Sequence, residues 1–559
     1  MRRLGLTGLL FLSITAAAQQ PRTNETIEVS IVNLDVVVTD RQGNRVTGLT
    51  ADDFEIREAG KLQPVTNFAE YGPTVTGATA AIEGTPSVEA SPSPAPRAQR
   101  TIIVFVEWSR LAPFHAKEMY DAMRKLLRET VAPGDRVTIV SWAGGTVSMR
   151  QPFTDDLTAI ESVLNVLEQE HMQGARDMSA EVRREQAEAD VDAQSLGADS
   201  MSAGTSSLHV RAAAMRELVN IRQKVAVLEA LMNGVAGVEG RKIMILAMHR
   251  FGVFAGAEYF SGGSVPLENR IELSTKKYHD SLIRTANATN VALYPIYAAG
   301  LKWTGTDSSE RDGSTGSEAD LAKMSQDPNT LANETLALDD IATRTGGLMA
   351  WGAANIAAML PRVADDLETY YSLGYRAPET GKDRSRKIEV RMKNRDYRVR
   401  SRTQFVEKSD ETQMKDRLVA NLYQKLEGSS AAIPFDVVVG EYKSTGGKRW
   451  QLPLKIRIPI KALTTLTRGR DEVGEFSVYV VSGARLGVMS DVQHRSQQFK
   501  IPRVDLERAR ASYFTYDFAL TVDEKVERLS IGVVDETAKE FGLKQLAVGN
   551  RTAAATYNQ

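Results

Sequence analysis

The chain has 559 residues, of which 42% are hydrophobic and 25% are charged. This length suggests about three or four domains, and this composition argues against collagen-like, wholly disordered and polytopic membrane proteins. Lys and Arg (69) nearly balance Asp and Glu (71), so no global positive field supports dedicated nucleic-acid binding. The absence of cysteine excludes disulfides, thiolate metal sites and cysteine nucleophiles.

Residues 1–18 have the three parts of a secretory signal peptide. Arg2 and Arg3 form a basic start, an apolar run extends from Leu4 to about Thr15, and three alanines precede Gln19. Because the run is short for a membrane span of about 20 residues, we expect cleavage and no stable membrane span afterwards. The mature protein is then secreted or periplasmic, and an uncleaved membrane anchor is the alternative.

A small β module is predicted over residues 24–72, before a linker rich in Pro, Ala and Ser at residues 73–99. Apolar residues alternate with polar ones from Ile27 to Thr39, which is the period of a half-buried strand. The linker contains Ser91-Pro92-Ser93-Pro94-Ala95-Pro96, which cannot build a core and favours a semi-extended chain. The linker therefore separates two folding units.

Residues 100–375 alternate apolar strand segments with amphipathic helices, which predicts an α/β domain with a mostly parallel sheet. The first three strands are predicted at Thr101–Val106, Arg136–Ser141 and Val147–Phe153, the third of them antiparallel. Later helices include one over Arg211–Asn233. Two insertions, at residues 171–210 and 304–329, are poor in large apolar groups and are expected to be exposed and mobile.

The chain beyond the α/β domain is predicted to be mainly β. Residues 376–405 predict a basic β-hairpin, whose charges indicate a solvated edge or, alternatively, a patch for an acidic partner. Residues 406–430 predict a helical linker. Several short alternating segments over residues 431–549 indicate a C-terminal β-sandwich-like domain.

Several of these segments together resemble a von Willebrand factor A domain. They are Thr101–Val106 followed by Glu107-Trp108-Ser109, Pro133–Val140, and Gly240-Arg241-Lys242 before an apolar strand. A narrower resemblance, to the secreted VWFA-related proteins typical of Acidobacteria, rests on Asp35–Asp40, Gly43, Val46, Leu49, Asp53, Phe54, Glu58 and Tyr370–Tyr375. The resemblance covers residues 27 to 405 and implies a doubly wound, Rossmann-like sheet with a ligand crevice at the carboxyl ends of its central strands.

In A domains this crevice often holds Mg²⁺ in a metal-ion-dependent adhesion site, with an Asp-x-Ser-x-Ser loop, a Thr and a second Asp as oxygen ligands. Here the loop reads Glu107-Trp108-Ser109-Arg110-Leu111, and a later strand is followed by His249-Arg250 instead of an acidic residue. The second Ser and the second carboxylate are thus missing. We expect a degenerate site without a metal cofactor, and Mg²⁺ held by Glu107 and Ser109 is the alternative.

We therefore predict a secreted, non-enzymatic, adhesion-type module that binds a protein or cell-envelope partner without a metal ion. The residues expected to line its crevice are Glu107, Trp108, Ser109, Arg110, His249 and Arg250. The alternatives are Mg²⁺-dependent adhesion through this partial site and a hydrolase that uses Glu107 and His249. Motifs of serine hydrolases, zinc proteases and nucleotide-binding loops are missing, and two residues are too few for a usual zinc site, so binding is favoured.

Overall fold

The computed structural model describes residues 29–72, 80–81, 99–107, 113–143, 145–173, 202–248, 251–260, 264–297, 328–350, 356–378, 382–424, 426, 433–446, 449–483, 489–522 and 528–548. The predicted signal peptide and most of the predicted linker and insertions lie outside these residues. The described part is a mixed α/β structure with several sheets. Within it, no helix is both long and apolar enough to span a membrane.

The strands and helices alternate in the middle of the chain, and strands predominate at both ends. The strands are β1 Val29–Thr39, β2 Phe54–Glu58, β3 Lys61–Gln63, β4 Asn67–Tyr71, β5 Ala80–Ala81, β6 Arg100–Glu107, β7 Arg136–Ala143, β8 Thr146–Thr154, β9 Arg241–Met248, β10 Val291–Tyr297, β11 Tyr370–Pro378, β12 Arg384–Met392, β13 Arg398–Arg400, β14 Gln404–Glu407, β15 Asp436–Val439, β16 Lys443–Gly446, β17 Arg449–Pro459, β18 Leu466–Arg468, β19 Asp471–Gly483, β20 Gln493–Pro502, β21 Tyr513–Val522, β22 Arg528–Asp535 and β23 Phe541–Ala547. The helices are α1 Pro113–Thr130, α2 over residues 157–173, α3 Ser202–Asn233, α4 Arg270–Leu273, α5 Lys276–Thr289, α6 Pro328–Thr345, α7 Ile356–Glu368, α8 Asp410–Tyr423 and α9 Leu506–Arg510.

A five-stranded sheet in the order β10-β9-β6-β7-β8 forms the centre of the α/β unit. Strands β10, β9, β6 and β7 are parallel, and β8 is antiparallel to β7, as predicted. From β6 the chain moves outward through β7 and β8 and then returns to β9 on the other side of β6. The order of the strands therefore reverses between β6 and β9, which is where open α/β sheets usually bind their ligands.

Helices cover both faces of this sheet because its central strands are apolar on both sides. Strand β6 is buried along its whole length, with Ile102, Val104 and Val106 facing one core and Ile103 and Phe105 facing the other. Helices α1, α2 and α7 contribute to the first core, and helices α3, α5 and α6 to the second. Burying each such side chain stabilises the fold by roughly 1.5–3 kcal/mol.

The N-terminal strands and the strands that follow the α/β unit form one β module. Strand β1 pairs with β11 and β13, and β2 pairs with β12, so each sheet combines strands from both sides of the α/β unit. Their shared core includes Leu34, Ile56 and Leu373. These strands were predicted as separate segments, because pairing between strands some 300 residues apart leaves no local signal in the sequence.

The basic segment at residues 376–405 does not form the predicted hairpin. Strand β12 pairs with β14 and β2, and β13 pairs with β1. One of its charges is neutralised inside the module, since Arg386 pairs with Glu58 at 2.8 Å and also with Glu407. Other basic residues of the segment, such as Arg391 and Arg398, are exposed, so internal pairing does not account for all of its charges.

Residues that carry the narrower family resemblance hold turns of this β module in place. The Asp40 carboxylate accepts hydrogen bonds from the Asn44 side-chain amide at 2.9 Å and from the Asn44 backbone at 2.8 Å, and these bonds lower the pKa of Asp40. The Tyr371 hydroxyl donates to the Val46 carbonyl at 2.9 Å and accepts from the Leu49 backbone at 3.3 Å. These residues therefore have a structural role in the described fold.

The C-terminal unit consists of two sheets around one core. One sheet contains β15, β16, β17 and β21, and the other contains β18, β19, β20, β22 and β23. Helix α8, which lies in the predicted helical linker, packs Met414, Leu418 and Leu422 against Tyr479 and Val481 of β19. It therefore belongs to the C-terminal unit and is not a free connector.

Both flanking units contact the α/β unit at the amino-terminal edge of its sheet. Helices α5, α6 and α7 run back from the carboxyl-terminal edge, and their last turns contact the β module. Four contacts mark this edge: Arg400 donates to Asp366 at 2.6 and 2.8 Å, Arg402 to the Asn287 carbonyl at 3.3 Å, Thr403 to the Arg344 carbonyl at 3.1 Å, and Arg136 to Gln424 of the C-terminal unit at 3.3 Å. The approach is close: a Cβ on Gly237 would lie 2.4 Å from the Arg417 backbone.

Candidate functional site

The candidate site is the carboxyl-terminal edge of the central sheet, where β6 ends at Glu107 and β9 ends at Met248. These strands are neighbours, since Val106 is paired with Ala247. Of the six residues predicted to line a crevice, Glu107 lies within the described part of the chain. The other five, Trp108, Ser109, Arg110, His249 and Arg250, lie outside it.

Glu107 forms a buried ion pair with Lys224 of helix α3. The Lys224 Nζ atom lies 3.1 Å from each Glu107 carboxylate oxygen, and the side chains are 0% and 1% exposed. Removing two charges from water is costly, and a close pairing of this kind offsets that cost. The carboxylate of Glu107, which was predicted to line the crevice, is therefore neutralised by Lys224 inside the protein.

A second carboxylate extends this buried charged cluster. Glu217 lies two turns before Lys224 on α3, and its Oε1 atom is 4.0 Å from the Lys224 Nζ atom. The Asn220 side-chain amide donates to the same Glu217 oxygen at 3.1 Å, and Glu217 is 3% exposed. The Lys224 ammonium group thus lies between the Glu107 carboxylate of β6 and the Glu217 carboxylate of α3.

Lys224 is not among the residues predicted from the sequence, although helix α3 carries a signal for it. Ile221, Val225 and Leu228 form the buried stripe of this helix, and Lys224 lies on the same stripe. A lysine on an apolar helix face requires a buried acidic partner. Because that partner is on a strand 117 residues earlier, helix periodicity alone does not identify it.

The described residues of this edge do not fit a divalent cation. Both Glu107 oxygens already contact an ammonium group, and a cation at the same carboxylate would be repelled by it. Two unit charges about 4 Å apart repel each other by about 4 kcal/mol at an effective dielectric constant of about 20. Within the part of the chain that the structure describes, no group of three or more acidic or histidine side chains could hold a metal ion.

The chain that follows β9 packs inward behind the ion pair. Phe251 is fully buried, with its ring centre 5.8 Å from the Lys224 Nζ atom and 4.7 Å from the His279 ring. The Thr275 hydroxyl donates to the Gly252 carbonyl at 2.7 Å, which fixes this turn. Burial lowers the pKa of His279 to about 4, while the Asp280 carboxylate raises this pKa and the Lys276 ammonium group lowers it further, so the imidazole is neutral at pH 7.

Acidification is expected to weaken the fold through His279. Its pKa is lowered from 6.5 to about 4, so the folded state binds fewer protons than the unfolded state between these values. The contribution of His279 to the free energy of unfolding is complete above pH 6.5, and it falls by about 3 kcal/mol as the pH decreases to about 4. Denaturant unfolding at a series of pH values measures this loss.

The matched variants for this experiment are His279→Gln and His494→Gln, since His494 is exposed on β20. The loss attributed to His279 is expected to disappear in the first variant and to persist in the second. Identical pH profiles for wild type and His279→Gln would contradict the assignment.

No protein-family model matches this chain, and no curated protein matches it. Similar solved structures include the Northeast Structural Genomics Consortium target SoR45, with 13% identity, a TM-score of 0.15 and coverage of 24% of this chain and 98% of the other. An aerotolerance-related membrane protein from Bacteroides fragilis NCTC 9343, with multiple mutations to serines, has 11% identity, a TM-score of 0.23 and coverage of 48% and 98%. The pilus adhesin SpaC from Lactobacillus rhamnosus GG, in its open conformation, has 8% identity, a TM-score of 0.23 and coverage of 89% and 60%. Function therefore has to be argued from the chain's own residues.

Proposed function

We propose that this protein is a secreted, non-enzymatic binding module that engages a protein or cell-envelope partner through the carboxyl-terminal edge of its central sheet. Its α/β unit is taken to be of the von Willebrand factor A type with a degenerate metal site, flanked by β domains. The observation that carries the proposal is that both flanking units contact the amino-terminal edge of the sheet. This edge is opposite the proposed binding edge.

The geometry of the edge supports partner binding in a second way. The segment between β9 and α5 lies at this edge, because α5 runs from there back to the start of β10. Leu273 anchors helix α4 in this segment and is fully buried, whereas Leu267 and Ile271 are 77% and 92% exposed. Exposed aliphatic side chains beside a ligand-binding edge are suited to protein contacts.

The Glu107–Lys224 pair supports binding without a metal ion. A carboxylate that is already neutralised has little need of a cation, so Mg²⁺-dependent adhesion through Glu107 and Ser109 receives less support. The same pairing weakens the hydrolase hypothesis, since a general acid or base has to exchange protons with a substrate. Surface complementarity is the mechanism that these residues favour.

The partner-binding edge can be tested with Ile271→Asp. Envelope proteins of the producing organism would be crosslinked to the mature protein, identified, and then titrated against purified variants. A charge in the centre of a contact surface is expected to weaken binding at least tenfold, while the thermal stability stays within about 0.5 kcal/mol of wild type because the residue is exposed.

Val504→Asp is the matched control, because Val504 is 94% exposed on the C-terminal unit. It carries the same change of chemistry away from the proposed edge and is expected to bind as wild type does. Equal affinities of wild type and Ile271→Asp, or a loss confined to Val504→Asp, would count against this edge as the binding surface.

A further inference from the structure

We infer that the Lys224 ammonium group is a built-in cation at the carboxyl-terminal edge, replacing the divalent ion that a fold of this type would hold beside Glu107. The inference rests on the proposed function for the role of this edge. It adds a physical reason why the Glu107 carboxylate does not need a metal ion.

The position of the ammonium group is that of a small cation between two carboxylates. It contacts both oxygens of Glu107 at 3.1 Å and lies 4.0 Å from Glu217. All three side chains are at most 3% exposed, so solvent does not screen their charges. The centre of the Phe251 ring lies 5.8 Å from the Lys224 Nζ atom, and the face of an aromatic ring attracts a cation.

The source of the positive charge has a structural consequence. Lys224 belongs to helix α3, so the ion pair ties this helix directly to the end of strand β6. A bound metal ion can be removed by a chelator, whereas a covalently attached ammonium group cannot. Chelators are therefore expected to leave this connection unchanged.

Substituting Lys224→Ala tests the inference, because it removes the ammonium group and leaves two carboxylates around the vacated space. Two buried carboxylates that have lost this ammonium group favour an added cation, and Ca²⁺, Mn²⁺ and Mg²⁺ all prefer such oxygens. The variant is expected to gain a saturable response to at least one of these ions. At about 100 times the dissociation constant, the unfolding temperature should rise by about 5 °C.

Fluorescence of Trp142 provides a local signal for the same titration. Trp142 is paired with Glu107 across β6 and β7 and is 2% exposed. Subtracting the signal of a Trp142→Phe version isolates its contribution from those of the other tryptophans. Wild type is expected to show no change over the same range of concentrations.

The double variant Lys224→Ala/Glu107→Gln is the control, since it removes the carboxylate that would hold the added ion. It is expected to lose the gained response. Lys224→Gln serves as a second test variant, because it removes the charge but fills more of the space. If either variant folds only with an added ion, refolding yield with and without the ion becomes the measurement, and a higher yield with the ion supports the inference.

Three results would overturn the inference. The first is that Lys224→Ala and Lys224→Gln both fold and show no change in unfolding temperature with any of the three ions up to about 10 mM. The second is that neither variant folds and no ion raises its refolding yield. The third is that the wild-type protein responds to an ion and Glu107→Gln abolishes this response. None of these depends on the partner, so a failure here is distinguishable from a failure of the edge variants at Ile271.

Discussion

Replacing Asp366 with alanine is expected to destabilise the protein by about 3–5 kcal/mol and to release the β module from the α/β unit. Asp366 is 2% exposed and pairs with Arg400 at 2.6 Å and also with Arg45. Burial and the nearby Arg400 already lower the pKa of Arg45 to about 10. Removing the shared carboxylate leaves two poorly solvated guanidinium groups next to each other, which is the costly way to break a buried ion pair.

Asp365→Ala is the matched control for this experiment, because Asp365 is the adjacent residue and is exposed. Its effect is expected to stay within about 0.5 kcal/mol. Denaturant unfolding gives the energies, and hydrogen exchange of β1 and β13 reports whether the module separates first. Equal effects of the two substitutions would show that Asp366 does not hold the units together.

The second large effect is expected at Glu107. Glu107→Gln removes the negative charge from a pair that is at most 1% exposed and leaves the Lys224 ammonium group with weaker partners. The expected loss is about 3–5 kcal/mol, since breaking a buried ion pair by removing one of its partners is costly. Unfolding of the α/β unit, followed by tryptophan fluorescence, measures this loss.

A double-mutant cycle separates the ion pair from simple loss of packing. Glu107→Gln/Lys224→Met replaces both members of the pair with side chains of similar size, and its loss of stability is expected to be smaller than the sum of the two single losses. The reason is that each single substitution already removes the Glu107–Lys224 interaction. Additive losses in the cycle would contradict a direct interaction between the two residues.

The sequence predicted the α/β unit well because its signals are local. Continuous β-branched runs predicted strands close to those observed, such as Thr101–Val106 within β6 and Arg136–Ser141 within β7. The antiparallel direction of β8 followed from its short connection to β7 and is confirmed. The helix predicted over Arg211–Asn233 begins earlier, at Ser202, within the predicted first insertion.

Long-range pairing was outside the reach of the same signals. The periodicity of β1 indicates a half-buried strand but does not reveal that its partner is β11, more than 300 residues later. His171 shows a similar limit: composition placed it in an exposed insertion, whereas it is fully buried at the end of α2. Contacts between charged or apolar side chains that are far apart in the sequence can be identified only from the structure.

The sequence places Glu107 at the end of β6 but does not reveal what its carboxylate contacts. The resemblance and the strand order both indicate the edge at which β6 ends, and Glu107 is there. The chemistry of that residue is set by Lys224, whose position depends on how α3 packs against the sheet. The missing acidic and hydroxyl residues led us to expect a degenerate metal site, but they do not indicate that a lysine contacts Glu107.

The most direct measurement is a calorimetric titration of the wild-type protein with Mg²⁺, Mn²⁺ and Ca²⁺ against a baseline in EDTA. We expect no saturable heat and no change in unfolding temperature, because the Lys224 ammonium group already neutralises Glu107. A stoichiometric response that Glu107→Gln abolishes would contradict this expectation and would make metal-dependent adhesion the better explanation of this edge.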